Sequence, residues 1–213
     1  MPSAQVLGLA RPVGQQKEHT ILISAPYMMP HMSRFIGILE SFGFTVIVAD
    51  VFERLSEEEL LNKYSGFDAI ICGDDHFTEA VYKANEGRLK VVSKWGTGID
   101  SLNPSIAPKY GAVVINTPGA FTEPVSDSCL AYILAFARQF VPLDRLMKDK
   151  IWSKIKGHTL GEKTVGIIGV GDIGKRVMTK CRSFGCKMIG HDIVDVDKKF
   201  LEDVGAEQFS LER

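Results

Sequence analysis

Residues 164–192 begin with Thr164-Val-Gly-Ile-Ile-Gly-Val-Gly-Asp-Ile-Gly174 and end with Lys187-Met-Ile-Gly-His-Asp192. The apolar run at 165–168 predicts a strand, and the three glycines after it form a Gly-x-Gly-x-x-Gly turn. Residues 173–184 have helical spacing, and 187–191 predict a second strand that ends in a carboxylate. Strand, glycine turn, helix and strand in this order are typical of a nucleotide-binding α/β unit.

Each glycine of the turn suits the binding of a dinucleotide. Gly169 permits a tight turn after the strand, and Gly171 lacks the Cβ that would obstruct a pyrophosphate. Gly174 allows the helix to approach the sheet closely. Free amides at the start of the helix bind phosphate oxygens, and the helix dipole strengthens that interaction.

Three more residues complete this candidate site. The amides of Asp172 and Ile173 open the helix, and we expect the Asp172 carboxylate to cap the helix or face water, because it would repel phosphate. Asp192 lies 18 positions after Gly174 and can accept hydrogen bonds from both ribose hydroxyls. A carboxylate there would repel a 2′-phosphate, so the sequence predicts NAD rather than NADP. The alternative for Asp192 is a solvated strand end.

Charge and cysteine content exclude several classes of protein. The 213 residues carry 25 basic and 26 acidic side chains, which gives no electrostatic reason to expect nucleic acid or an anionic membrane as a partner. No apolar run approaches the ~20 residues of a membrane span. The four cysteines (Cys72, Cys129, Cys181 and Cys186) form no Cys-x-x-Cys pair, which predicts reduced thiols in a cytoplasmic protein without a metal site.

The chain before the glycine turn alternates short apolar runs with amphipathic stretches. Strands are predicted at 21–24, 45–49, 68–72, 89–93 and 112–116, and helices at 32–42, 56–64, 78–85, 104–109 and 123–140. Parallel neighbouring strands need crossover helices, so this alternation predicts an α/β fold with a doubly wound parallel sheet. Its ligands are expected at the carboxyl ends of the strands.

Several motifs occur in a recognisable order along the chain. They are Lys94-Trp-Gly-Thr-Gly-Ile-Asp100, Asn116-Thr-Pro-Gly-Ala-Phe121, Leu134-Ala-Phe-Ala-Arg138 and the glycine turn. From about Thr20 onward the chain resembles the N-terminal portion of the D-isomer-specific 2-hydroxyacid dehydrogenases, in particular the D-3-phosphoglycerate dehydrogenase-like proteins.

The resemblance implies a division into domains. Residues 1–19 are expected to be a mobile tail, and 20–120 a flavodoxin-like substrate domain. Residues 121–160 are expected to be a connecting helix and linker, with Trp152 as an apolar anchor. Residues 161–213 would be the start of a Rossmann NAD-binding domain, with two strands and one full helix.

The resemblance also implies an activity and a substrate site. Hydride would pass between NAD and C2 of a small 2-hydroxy or 2-keto acid, whose carboxylate would bind the amides of Thr97 and Gly98. Lys94 would add positive charge; the alternatives are a plain tight turn and a solvated lysine. The loop Gly73-Asp-Asp-His76 is acidic, which does not favour a phosphorylated substrate.

No residue of this chain matches the family's catalytic Arg, Glu and His, which we expect beyond residue 213. The first hypothesis is therefore an NAD-dependent oxidoreductase whose 213-residue part is inactive by itself, with a homodimer expected for a full-length form. The second is a non-catalytic module that binds NAD or a protein partner.

Overall fold

A five-stranded parallel sheet opens the computed structural model, which describes residues 19–212. The strands are β1 (His19–Ile23), β2 (Phe44–Val48), β3 (Ala69–Cys72), β4 (Val91–Lys94) and β5 (Val113–Ile115). They lie in the order β2-β1-β3-β4-β5, which is the flavodoxin-like order. The predicted doubly wound parallel sheet is confirmed. The tail expected at 1–19 lies, apart from His19, outside the described residues.

Apolar strands place this sheet between two hydrophobic layers. Leu22, Ile70 and Val92 are buried in one cluster, and Ile21 and Ile23 are buried in another. Because β1 contributes alternate residues to the two clusters, both faces of the sheet are covered, as a parallel sheet requires.

Short helices connect these strands. They are α1 (Ile36–Ser41), α2 (Glu57–Asn62) and α3 (Glu79–Ala84), with 3-10 segments at Pro26–Arg34, Asp100–Leu102 and Ala107–Tyr110. Ser56 and Glu59 form the predicted capping box of α2. The helix predicted at 32–42 is wrong in its first part, because residues 32–34 belong to the 3-10 segment and α1 begins at Ile36.

The chain divides into two units between Thr117 and Pro118, and the second unit has its own parallel sheet. Its strands are β6 (Thr164–Ile168), β7 (Lys187–His191) and β8 (Ala206–Gln208), in that order. Its helices are α4 (Thr122–Ala137), α5 (Phe140–Lys148), α6 (Asp172–Arg182) and α7 (Lys198–Val204).

Three expectations for this second unit are corrected. The helix predicted at 123–140 breaks at Gln139, whose φ of 55° is left-handed. Residues 161–212 hold three strands and two helices, because Asp197 caps a short helix that leads into β8. Trp152 is 81% exposed and anchors nothing in the described chain.

Residues 19–212 contain four free cysteines and no group of three ligating side chains that could hold a metal ion. Within the same residues, no helix has both the length and the apolar character needed to span a bilayer.

Candidate functional site

The glycine turn between β6 and α6 is held by close backbone contacts. Gly169 has a φ of +90°, which favours glycine, and its amide donates to His191 O at 2.8 Å. A Cβ on Gly174 would lie 2.0 Å from Gly169 O, so only glycine allows α6 to start this close to β6. The turn therefore needs glycine at both positions for different physical reasons.

The amides that follow the turn are free to bind a ligand. The N–H groups of Gly171, Asp172, Ile173 and Gly174 donate to no acceptor among residues 19–212, and Lys175 makes the first backbone bond, to Gly171 O. The first three of these residues are exposed, whereas Gly174 is buried against the turn. A Cβ on Gly171 would meet no atom within 4 Å. Free amides, open space and the positive end of the helix dipole fit the pyrophosphate of a dinucleotide.

Asp192 follows β7 and lies beside this turn. Its carboxylate accepts hydrogen bonds from the amides of Val170, at 2.7 Å, and Val194, at 3.3 Å. These amides hold the pKa of Asp192 below its usual range. The carboxylate thus fixes the glycine turn while charged, and its remaining lone pairs can accept ribose hydroxyls.

Asp172 lies in the first turn of α6 and is exposed, while Gly171 occupies the N-cap position. Its side chain caps nothing, so of its two expected positions it takes the one that faces water. Next to it a cavity of about 350 Å³ is lined by Thr122, Lys175 and Arg176 as well. Of its two basic side chains, Arg176 is paired with Glu123, and Lys175 lies over the ring of Phe200, so the free amides are the main donors here.

Helix α6 is tied to α4 by ionic contacts that the sequence did not predict. Lys180 Nζ donates to Ser126 Oγ at 2.7 Å and to Asp127 Oδ1 at 2.6 Å, and Arg176 pairs with Glu123. The Asp127 hydrogen bond raises the pKa of Lys180 above its usual range. The helix expected to connect the two domains therefore supports the glycine turn from within the second unit.

The turn after β4 carries the predicted substrate residues Thr97 and Gly98. Both are exposed, and their amides donate to no group in the described part of the chain. Asn116 Nδ2 donates to Thr97 O at 2.7 Å, and Thr117 N donates to Gly96 O at 2.9 Å. Residues after β5 thus hold the turn after β4, a role that only the pairing of these strands reveals.

Lys94 runs beneath that turn, and its charged end lies at the loop after β3. Its side chain is buried, and its Nζ donates to Gly73 O at 2.6 Å and pairs with the Asp74 carboxylate. A Cβ on Gly96 would lie 3.0 Å from Lys94 Cε, so the lysine stem runs directly beneath the turn. The charge predicted to serve an anionic substrate is neutralised by the acidic loop.

Asp75 in the same loop is structural. It is fully buried and accepts hydrogen bonds from Ser24 Oγ and, at 2.7 Å, from Leu55 N. Burial raises the pKa of this carboxyl above its usual range. It joins the loops that follow β1, β2 and β3.

The described histidines do not form an acid–base site at either glycine turn. His19 lies 3.6 Å from Asp68, but at the amino end of β1, opposite the edge where ligands of parallel sheets bind. His191 Nδ1 is within 2.9 Å of Phe209 O.

Most of the second unit matches a known protein family. Residues 130–213 match the family described as D-isomer specific 2-hydroxyacid dehydrogenase, NAD binding domain. Residues 130–213 belong to the NAD-binding domain of this dehydrogenase family. The resemblance inferred from the motifs is confirmed, and so is NAD as the cofactor of the domain.

Similar proteins also include longer curated relatives of this dehydrogenase domain. D-3-phosphoglycerate dehydrogenase from Homo sapiens is 33% identical over 178 residues, which are 82% of this chain and 32% of that protein. The enzyme of the same name from Methanocaldococcus jannaschii is 32% identical over 176 residues, 81% of this chain and 32% of that protein. The chain thus spans about one third of the length of these relatives.

Solved structures share the fold. A D-lactate dehydrogenase from Aquifex aeolicus, complexed with NAD and lactic acid, has a TM-score of 0.76 at 21% identity. The match covers 91% of this chain and 56% of the lactate dehydrogenase chain. A glyoxylate reductase from Paecilomyes thermophila has a TM-score of 0.73 at 22% identity. That match covers 92% of this chain and 61% of the reductase chain.

Proposed function

We propose that this chain is part of an NAD-dependent oxidoreductase that transfers hydride between NAD and C2 of a small 2-hydroxy or 2-keto acid. The observation that carries the proposal is the set of four free amides at Gly171–Gly174 beside the charged Asp192. NAD supplies the hydride acceptor. The residues of this chain bind and orient it: the amides hold phosphate oxygens, and Asp192 accepts from the ribose.

The substrate carboxylate is proposed to bind the amides of Thr97 and Gly98. A glycine-flanked turn with two unused N–H groups offers donors to an anion without side-chain obstruction. A Cβ on Gly98 would meet no atom within 4 Å, so Gly98→Ala should preserve the fold while obstructing the approach of a carboxylate.

The 213-residue polypeptide is proposed to bind NAD without turning over a 2-hydroxy acid. The support is that, among residues 19–212, the one histidine within ion-pair distance of a carboxylate is His19, which lies at the amino end of β1 and away from the ligand edge. General acid–base catalysis of hydride transfer needs such a group in place.

Three measurements on the purified chain test the proposed function. Calorimetric titration should show NAD binding, with weaker binding of NADP. Amide chemical shifts of Thr97 and Gly98 should move on addition of D-lactate in the wild type and much less in Gly98→Ala. A panel of D-2-hydroxy acids should yield no NADH. The absence of NAD binding refutes the cofactor site, and NADH formation refutes the proposed inactivity.

We also propose that the protein forms a homodimer and is located in the cytoplasm. Exposed aromatic side chains on α4, Tyr132 and Phe136, line an apolar groove of about 480 Å³, and such faces pack well against a second copy. Four free thiols, three of them buried, suit a reducing compartment. Sedimentation of the chain, with Phe136→Ser as the variant, tests the dimer.

A further inference from the structure

We infer that Asp74 is a specificity-determining residue: by pairing with Lys94 it restricts the substrate site to small acids with one anionic group and rejects those that also carry a phosphate. The inference rests on the proposed substrate turn at Thr97 and Gly98. It goes further in naming which acids that turn accepts and which side chain makes the choice.

The geometry of Lys94 is the first support. The residue is only 4% exposed, and its Nζ is engaged by Gly73 O and by the carboxylate of Asp74. β3 and β4 are neighbours in register, with Cys72 beside Lys94, so the loop after β3 lies directly beside the turn after β4. Two of the three ammonium N–H donors are thus used, and the positive charge is already paired with a carboxylate before a substrate arrives.

The charge of this sheet edge is the second support. The loops after β1, β2, β3 and β4 carry five acidic side chains against Arg34 and Arg54, besides Lys94 at the end of β4. The acidic ones are Asp50, Glu53, Asp74, Asp75 and Asp100. With Lys94 neutralised, the edge repels a phosphate dianion, whereas a single carboxylate is held by the local dipoles of two amides.

The neighbouring cavity is the third support. A space of about 260 Å³ adjoins Lys94 and is lined mainly by apolar side chains. Among them are Met28, Phe35, Leu39 and Trp95. Trp95 also contacts Phe35 edge-on, with ring centroids 5.9 Å apart. Walls of this kind accept an uncharged substituent on C2 of the substrate, whereas a charged substituent finds no ion-pair partner among them.

Asp74→Asn tests the inference, because the amide removes the charge and keeps an oxygen that Lys94 can still contact. Its side chain is 76% exposed, so the substitution disturbs no packing. The matched control is Asp50→Asn, which removes the same charge from the same edge. It follows β2, two strands away in the sheet and thus about 10 Å distant, where salt screens its effect.

Binding of D-lactate and of 3-phosphoglycerate is measured through the amide shifts of Thr97 and Gly98 in the full chain. For Asp74→Asn, 3-phosphoglycerate should bind about tenfold more tightly, the effect of removing one negative charge about 6 Å from a dianion in water. D-Lactate should bind at most about threefold more tightly, because its single charge gains half as much free energy. Asp50→Asn should leave both affinities near wild type.

Equal changes for both acids, no change, or the same gain in Asp50→Asn would overturn the role of Asp74 and leave the substrate turn intact. Failure of either acid to shift the two amides in any variant would overturn the substrate turn itself, and the inference with it.

Discussion

Gly174→Ala is expected to destabilise the second unit at the junction of β6 and α6. The added Cβ would lie 2.0 Å from Gly169 O and 3.0 Å from Gly169 C, both backbone atoms that cannot rotate away. Overpacking of this kind costs up to about 3 kcal/mol, and the better helix propensity of alanine returns about 1 kcal/mol. The net loss is about 2 kcal/mol, which corresponds to a roughly thirtyfold change in an opening equilibrium.

Hydrogen exchange followed by mass spectrometry measures this opening equilibrium separately in each segment. Local measurement is needed because a chain of two units need not unfold in one step. Peptides from α6 and β6 should exchange roughly thirtyfold faster in Gly174→Ala than in the wild type, while peptides from β1 to β5 should not change. Exchange within about threefold of the wild type would show that α6 can move away from the turn, and would refute the argument from close approach.

Gly171→Ala is the matched control, since its Cβ meets no protein atom within 4 Å. Exchange in α6 should remain at the wild-type rate, whereas NAD binding should be lost because the methyl group occupies the space assigned to the pyrophosphate. If Gly171→Ala binds NAD as tightly as the wild type, the pyrophosphate does not lie at this turn.

Two further changes separate cofactor choice from stability. Asp192→Asn should lower the preference for NAD over NADP about tenfold, because it removes the charge that repels a 2′-phosphate and keeps an acceptor for Val170 N; an unchanged ratio in paired titrations would contradict this. Asp75→Ala leaves the buried Leu55 N–H without its acceptor and should cost about 2 kcal/mol in the first unit, seen in urea unfolding followed by Trp95 fluorescence in Trp152→Phe. The pKa of Asp75 is raised in the folded protein. Its contribution to the free energy of unfolding is therefore present below a pH of about 4 and falls as the pH rises through the folded-state pKa. Asp75→Ala should remove this pH dependence.

The periodicity of the sequence was enough to predict the first sheet. All five strands fall within two residues of their predicted positions at each end, since short apolar runs between amphipathic stretches admit few other folds. Boundaries failed where one residue decided the backbone. The chain forms a 3-10 segment around Pro30. Gln139 interrupts an apolar helix although it is neither proline nor glycine. The three-residue β8 is too short and polar to be recognised from its pattern.

Local spacing alone also determined the cofactor turn, because Gly169, Gly171, Gly174 and Asp192 belong to a contiguous unit of strand, turn, helix and strand. The sequence could not determine what the polar side chains contact. Lys94 was predicted to lie beside a substrate, and the tertiary structure places it beneath Gly96 and against Asp74, from a different strand. Hydrogen bonds and ion pairs between distant segments depend on strand order and register, which only the folded chain fixes. The sequence by itself therefore determined the fold class and the cofactor, and the tertiary structure decided the charge that a substrate would meet.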